Sequence, residues 1–201
     1  DKKVRQHDDV ELYDEPEYKD SATGSEGDVM DYIFVSHLPK ITSEATYLTQ
    51  YTFVDQLDKG LSYNRDAAIY FYDNRDDAMA NNTENAIVTW KHGATQFSEN
   101  YASQSAEYNQ LTIAPTLGGL NEINPELSDC YLVVAYTATV NSDATPVLGD
   151  YGNTNNVELT WERTSMDYSD TLEDRARVYT YALDLTKQFT ESDQEFDFTK
   201  V

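Results

Sequence analysis

The sequence predicts an all-β sandwich, and three observations lead there. Short runs rich in Tyr, Val, Thr and Phe suit a pleated surface. Gly, Asn, Asp and Pro cluster between those runs. No long window carries helical periodicity. The expected strands are 2–4, 29–36, 48–57, 67–72, 86–90, 110–113, 130–140, 155–162 and 177–185. Asp58-Lys59-Gly60 and Asp150-Tyr151-Gly152-Asn153 read as turns, and short helical turns fit only 102–108 or 121–127. Strand count and spacing match a sandwich, with Trp90 and Trp161 packed inside.

Composition narrows the function classes. The chain has 201 residues, enough for one large β domain, and its 39% hydrophobic content excludes outright disorder. A net charge of -23 repels nucleic acid and anionic membrane surfaces, so neither is expected as a partner. Cys130 is the one cysteine, so no internal disulfide can form. It alternates with Leu132 and Val134 and reads as a small half-buried hydrophobe. The chain opens on Asp, has no long apolar run, and is expected to be part of a longer protein. Leu38-Pro39-Lys40-Ile41-Thr42 resembles a sortase sorting signal but lacks its ending, and reads as a loop.

Two acidic stretches, 8–20 and 73–84, read as solvated loops. In Asp73-Asn74-Arg75-Asp76-Asp77 an arginine holds a calcium-ligand position and the turn glycine is missing. His7, His37 and His92 are far apart and lack metal-ligand spacing, so no metal or cofactor is implied. No nucleophile elbow or phosphate-binding glycine loop supports an enzyme acting on another molecule.

The chemically informative residue is Asp55. In Tyr51-Thr52-Phe53-Val54-Asp55-Gln56-Leu57 it shares one strand face with two aromatics and a leucine. A buried carboxyl is costly unless partnered and tends to become neutral. Two other strands also place a polar side chain on an apolar face. Asn155 aligns with Val157, Leu159 and Trp161, and Lys2 aligns with Val4. If the three converge, burial turns Lys2 into a neutral nucleophile and Asp55 into a neutral acid. Asp55 then hydrogen-bonds the Asn155 carboxamide oxygen, and attack by the amine expels ammonia and leaves an amide. The same pattern also fits three unrelated residues, with Lys2 exposed near a terminus and Asn155 capping a turn.

Several segments, in order, resemble the fimbrial isopeptide-formation domain of Gram-positive pilins and sortase-anchored surface proteins. They are Lys2-Lys3-Val4, Gly27-Asp28-Val29-Met30-Asp31-Tyr32, and the run from Tyr51 through Asp55, Asp58-Lys59-Gly60 and Leu61 to Tyr63. Val134-Ala135-Tyr136-Thr137-Ala138-Thr139-Val140-Asn141 follows, then Gly152-Asn153-Thr154-Asn155-Asn156-Val157-Glu158-Leu159. The resemblance implies an immunoglobulin-like (collagen-adhesin-like) β-sandwich with an autocatalytic Lys–Asn isopeptide cross-link. Residue by residue, Lys2 matches the reactive lysine, Asp55 the assisting acid and Asn155 the asparagine. Lys3 and Asn153 are the fallbacks for a register error, and Asn156 points to the opposite face. Trp161-Glu162-Arg163 departs from the Tyr-Ser-Asn that often closes the last motif.

The expected domain spans 1–182. The tail 183–201 is similar to the first strands of a following collagen-adhesin B-type domain, in which Lys187 corresponds to the next cross-link lysine. The resemblance implies a structural stalk or shaft module, extracellular and cell-wall anchored through another part of the protein. Its partners would be neighbouring domains or pilin subunits of the same surface protein. Its reaction turns over once, on itself, and is not an enzyme activity. An adhesin module binding a host matrix protein or glycan through loops such as 73–84 or 102–108 is the alternative.

Overall fold

The computed structural model describes residues 1–7, 17–144 and 152–180. In chain order the strands and helices are β1 (Lys2–Gln6), β2 (Ser21–Thr23), β3 (Val29–His37), β4 (Leu48–Asp58), β5 (Leu61–Tyr63), β6 (Ala68–Tyr72), α1 (Arg75–Ala80), β7 (Val88–Trp90), β8 (Phe97–Ser103), β9 (Tyr108–Pro115), α2 (Leu117–Glu126), β10 (Tyr131–Val140), β11 (Asn153–Arg163) and β12 (Asp170–Tyr179). They form two six-stranded sheets packed face to face, the all-β sandwich the alternation predicts. One sheet runs β1-β3-β10-β6-β7, with β5 also paired to β10; the other runs β2-β12-β11-β4-β9-β8. Apart from the parallel β2/β12 pair, these ladders are antiparallel.

The core lies between the inward faces. Val4, Tyr32, Phe34, Val134 and Tyr136 enter from the first sheet. Phe53, Leu57, Leu111, Ile113, Val157 and Leu159 meet them from the second. Each large apolar side chain removed from water contributes roughly 1.5–3 kcal/mol. Trp90 is buried, and Trp161 packs half-buried at the margin beneath the Arg163 guanidinium. Cys130 is half-buried just before β10, and burial raises its thiol pKa.

Helix α2 ties down the strand that carries Asp55. Thr116 caps its N-terminus, accepting from the Gly119 N–H at 3.3 Å, and Leu120 and Ile123 face the core. Gly119 is required by close approach, since a Cβ there would lie 2.0 Å from the Gln96 carbonyl oxygen. The buried Asn124 carboxamide accepts from the Leu48 N–H at 2.6 Å and donates to the Leu48 carbonyl at 3.0 Å. These two bonds clamp the first residue of β4 to the helix.

Four expectations need correction. Residues 102–108 form the β8–β9 hairpin rather than a helical turn, because Ser105 Oγ accepts from the Glu107 and Tyr108 N–H groups and closes a reverse turn. The helix expected at 121–127 begins earlier, at Leu117, where the Thr116 cap outweighs the poor propensity of Gly118 and Gly119. The acidic stretch 73–84 carries α1, capped by Asn74 Oδ1 accepting from the Asp77 N–H, with Asp76 and Asp77 favourably placed in its first turn. The strand expected at 177–185 starts at Asp170 rather than at 177. Its first six residues are exposed, so backbone pairing with β11, not an apolar face, holds them.

The strands β2, β5 and β8 were not expected; the first two are three residues long and β8 is a largely polar edge. Residues 38–42 form a loop after β3. Residues 8–16 of the first acidic stretch, Asp150 and Tyr151 of the expected turn, and the tail 183–201 with Lys187 lie outside the described residues.

Candidate cross-link site in the sandwich core

Strand β4 holds Asp55 near the middle of its sheet, opposite Val157 on β11 and Leu111 on β9. Its inward face alternates as Tyr51, Phe53, Asp55 and Leu57, all buried. Asn155 lies on the neighbouring β11, opposite Leu57, so the two polar side chains are diagonal neighbours on one face. Lys2 comes from the other sheet. Strand β1 pairs with β3 at Lys2↔Phe34 and Val4↔Tyr32, which turns both Lys2 and Val4 inward. Val35 N–H donates to the Asp1 carbonyl at 2.7 Å, and the Lys2 N–H donates to Asp174 Oδ2 on β12 at 2.7 Å. The lysine stem then crosses the gap between the sheets.

Lys2, Asp55 and Asn155 are all 0% exposed, so no solvent competes for their polar atoms. Lys2 Nζ contacts Asp55 Oδ1 and sits over the Phe34 ring at 4.6 Å and the Tyr32 ring at 5.6 Å. The Tyr136 hydroxyl donates to Asp55 Oδ2 at 2.6 Å, and Asn155 Nδ2 donates to that same hydroxyl. Asn155 Oδ1 and the Tyr32 hydroxyl are both buried and form no bond of full hydrogen-bond geometry, although the two side chains lie close enough to influence each other. This differs from the expected Asp55 bond to the carboxamide oxygen. Tyr136, projecting from β10 in the facing sheet, stands between the acid and the amide nitrogen.

Burial governs the protonation of the site. Desolvation lowers the Lys2 pKa to about 8, against the attraction of Asp55. Desolvation raises the Asp55 pKa, against Lys2, Tyr136 and the nearby Asn155 amide. Both shifts move the pair away from the ion pair and toward a neutral amine beside a neutral acid. The Tyr136 phenol, buried beside the Asp55 charge, is pushed well above its usual range and stays protonated.

The fallback residues stand elsewhere. Lys3 faces outward and pairs with Asp20 Oδ1 at 2.5 Å. Asn153 is buried one alternation further along β11, with Nδ2 turned to the Val178 carbonyl at 3.3 Å. Asn156 is exposed on the outer face. His7 contacts Asp31, His37 stacks on Tyr131, and His92 lies near Glu99. Among the described residues, no group of three or more His, Cys, Asp or Glu side chains is placed to hold a metal.

Tyr136 was missed as a site residue. The signal was present in Leu132, Val134, Tyr136, Ala138 and Val140, a buried face on which one side chain carries a hydroxyl. A Tyr on an apolar stripe reads as packing, because the ring alone justifies the position.

No protein-family model matches the chain, and no curated protein sequence matches it. Its fold is that of Gram-positive major pilins. Against full-length SpaD of Corynebacterium diphtheriae the TM-score is 0.56 at 16% identity, covering 87% of this chain and 33% of SpaD. Against the 35 kDa C-terminal fragment of the major pilin GBS80 of Streptococcus agalactiae it is 0.59 at 15% identity, covering 81% and 53%. Against SpaA of C. diphtheriae, a major pilin with a modular assembly and stabilizing isopeptide bonds, it is 0.51 at 17% identity, covering 79% and 31%. The chain thus spans from about a third to about half of these pilin chains.

Proposed function

We propose that this chain is a shaft module of a Gram-positive surface pilus, locked by an isopeptide bond that it forms between its own Lys2 and Asn155. The observation that carries this reading is the sealed contact chain from Lys2 through Asp55 and Tyr136 to Asn155 inside the sandwich. The neutral Lys2 amine attacks Cγ of Asn155, and the collapsing intermediate releases ammonia. Free amines and amides exchange far too slowly in water for this. Bringing the two groups together around one buried carboxyl would supply an effective molarity of ~10⁵ M or more. Asp55 is the acid that manages the protons. With no disulfide available, the bond is the covalent staple of the module, and its assembly partners are neighbouring domains or subunits outside the cell.

The reading predicts an intact mass lighter than the sequence by one ammonia, and a joined Lys2–Asn155 peptide pair after digestion. A wild-type chain at full mass overturns it. The expected loss is one ammonia and not two. Lys59 Nζ also contacts an asparagine, Asn109 Oδ1, at 2.9 Å, but it is only half-buried and its other hydrogen-bond partner is Ser103 rather than a carboxyl.

The unreacted site has a pH signature. Asn155→Ala keeps the Lys2–Asp55 pair and cannot react. In its folded state Lys2 loses its proton near pH 8, whereas the unfolded chain holds that proton to about 10.5. Between those values the unfolded state binds more protons, so the fold gains stability as pH rises from about 8 to about 10.5. Denaturant melts of Asn155→Ala and of the double variant with Lys2→Met isolate this term as their difference. A difference that stays flat or falls across the window contradicts the lowered pKa.

A further inference from the structure

We infer that Tyr136 is the proton relay of the cross-linking reaction, passing to the departing nitrogen of Asn155 a proton that Asp55 supplies. The inference rests on the proposed Lys2–Asn155 bond and adds a residue and a route to it. Asp55 is spanned by two different partners. Its Oδ1 meets the nucleophile, Lys2 Nζ, while its Oδ2 lies 2.6 Å from the Tyr136 hydroxyl. That hydroxyl is in turn the hydrogen-bond partner of Asn155 Nδ2, the atom that must leave. The phenol thus gives the carboxyl a hydrogen-bonded route to the leaving group, beside the Asn155 amide's own proximity to Asp55.

The ring is held for this task. It is 3% exposed and stacks on Tyr32 with centroids 5.3 Å apart and planes at 12°. Phe34 and Tyr63 meet it edge-on, each at 5.5 Å. Three aromatic neighbours, Tyr32 and Phe34 on β3 and Tyr63 on β5, fix where the hydroxyl points. Burial keeps the phenol protonated, so it exchanges one proton for another without resting as an anion.

The balance closes. In the reactive form Lys2 is an amine, Asp55 carries a proton on Oδ2 hydrogen-bonded to the Tyr136 oxygen, and the phenol proton has turned from Oδ2 toward Asn155 Nδ2. The Lys2 Nζ–Cγ bond forms and the carbonyl π pair moves to Oδ1. As the carbonyl reforms, the Cγ–Nδ2 bond breaks and its pair stays on nitrogen. The surplus proton on Nζ moves to Asp55 Oδ1, the Oδ2 proton moves to Tyr136, and the original phenol proton moves to Nδ2. Ammonia leaves, and Asp55 and Tyr136 each end with the proton count they began with.

The test follows intact mass against time after a short pulse of cell-free synthesis of the full chain. Wild type is expected to lose one ammonia, and Tyr136→Phe to do so ~100-fold more slowly or less completely, the scale of one general acid–base group. Near-UV circular dichroism checks that the Phe variant keeps its packing. Site-specific 3,5-difluorotyrosine at 136 keeps ring and hydroxyl while making the phenol more acidic; its rate is expected to shift, with a changed solvent deuterium isotope effect. A purely structural tyrosine would not respond to that change. If wild type cross-links and both variants match its rate, the relay is overturned while the bond stands. If wild type never loses ammonia, the proposed function itself falls.

Discussion

Lys2→Met is expected to hold the chain at full mass and lower its melting temperature by ~10–20 °C. The bond would close a ring from Lys2 to Asn155, and a loop of that size restricts the unfolded chain by about 5 kcal/mol on the chain-entropy account. For a domain this large each 1 kcal/mol moves the midpoint by about 2–4 °C. Methionine matches the lysine stem against Tyr32 and Phe34, so little packing is lost. The Asp55 left behind, its pKa already raised, takes up a proton and keeps its bond to Tyr136. The variant therefore isolates the covalent tie. Calorimetry beside intact mass checks it, and a midpoint within a few degrees of a cross-linked wild type would show that the tie adds no stability.

Asp55→Asn is expected to cost more than Lys2→Met, although both abolish the bond. Below pH about 8 it strands a fully buried ammonium without its carboxyl, and breaking a buried pair on one side typically costs about 3–5 kcal/mol. Added to the lost tie, that approaches the whole stability of an ordinary domain, about 5–15 kcal/mol. Adding Lys2→Met to Asp55→Asn should therefore raise stability, because it removes the stranded amine. Urea melts of wild type, the two single variants and the double variant close the cycle. A double variant less stable than Asp55→Asn alone would mean that the Lys2 ammonium is not a burden in the core.

The burial of the three polar side chains was legible because a strand has a period of two. Phe53 and Leu57 expose Asp55 as the odd member of an apolar face, and Val157 and Leu159 do the same for Asn155. Alternation says which face a residue takes, but not which sheet that face opposes. That Lys2 sits across the gap from Asp55 follows from β1 pairing with β3, a long-range fact that no local pattern carries. Edge strands were the weak point for a related reason. In β8 and the first half of β12 the stabilising groups are backbone N–H and C=O, which every residue offers, so charged sequences such as Asp170-Thr171-Leu172-Glu173 join a sheet without announcing it. Helix α2 was half visible because its cap lies outside its apolar turn and its glycines serve close packing rather than helix propensity.

The placement of β12 has a mechanical consequence. Lys2 lies on β1 and Asn155 on β11, the next-to-last strand among the described residues, in opposite sheets. With the bond in place, a pull on the two ends passes from Lys2 directly into Asn155, and everything between carries no load. The stretch after Asn155 stays in the load path, and β12 is held there by its ladder to β11 and its pairing with β2. Peeled away, residues 156–180 give at most about 9 nm of extension at ~3.5 Å per residue. Such a bond would leave residues 156–180, with the charged strand whose sequence looked least like structure, as the described segment that lengthens under load.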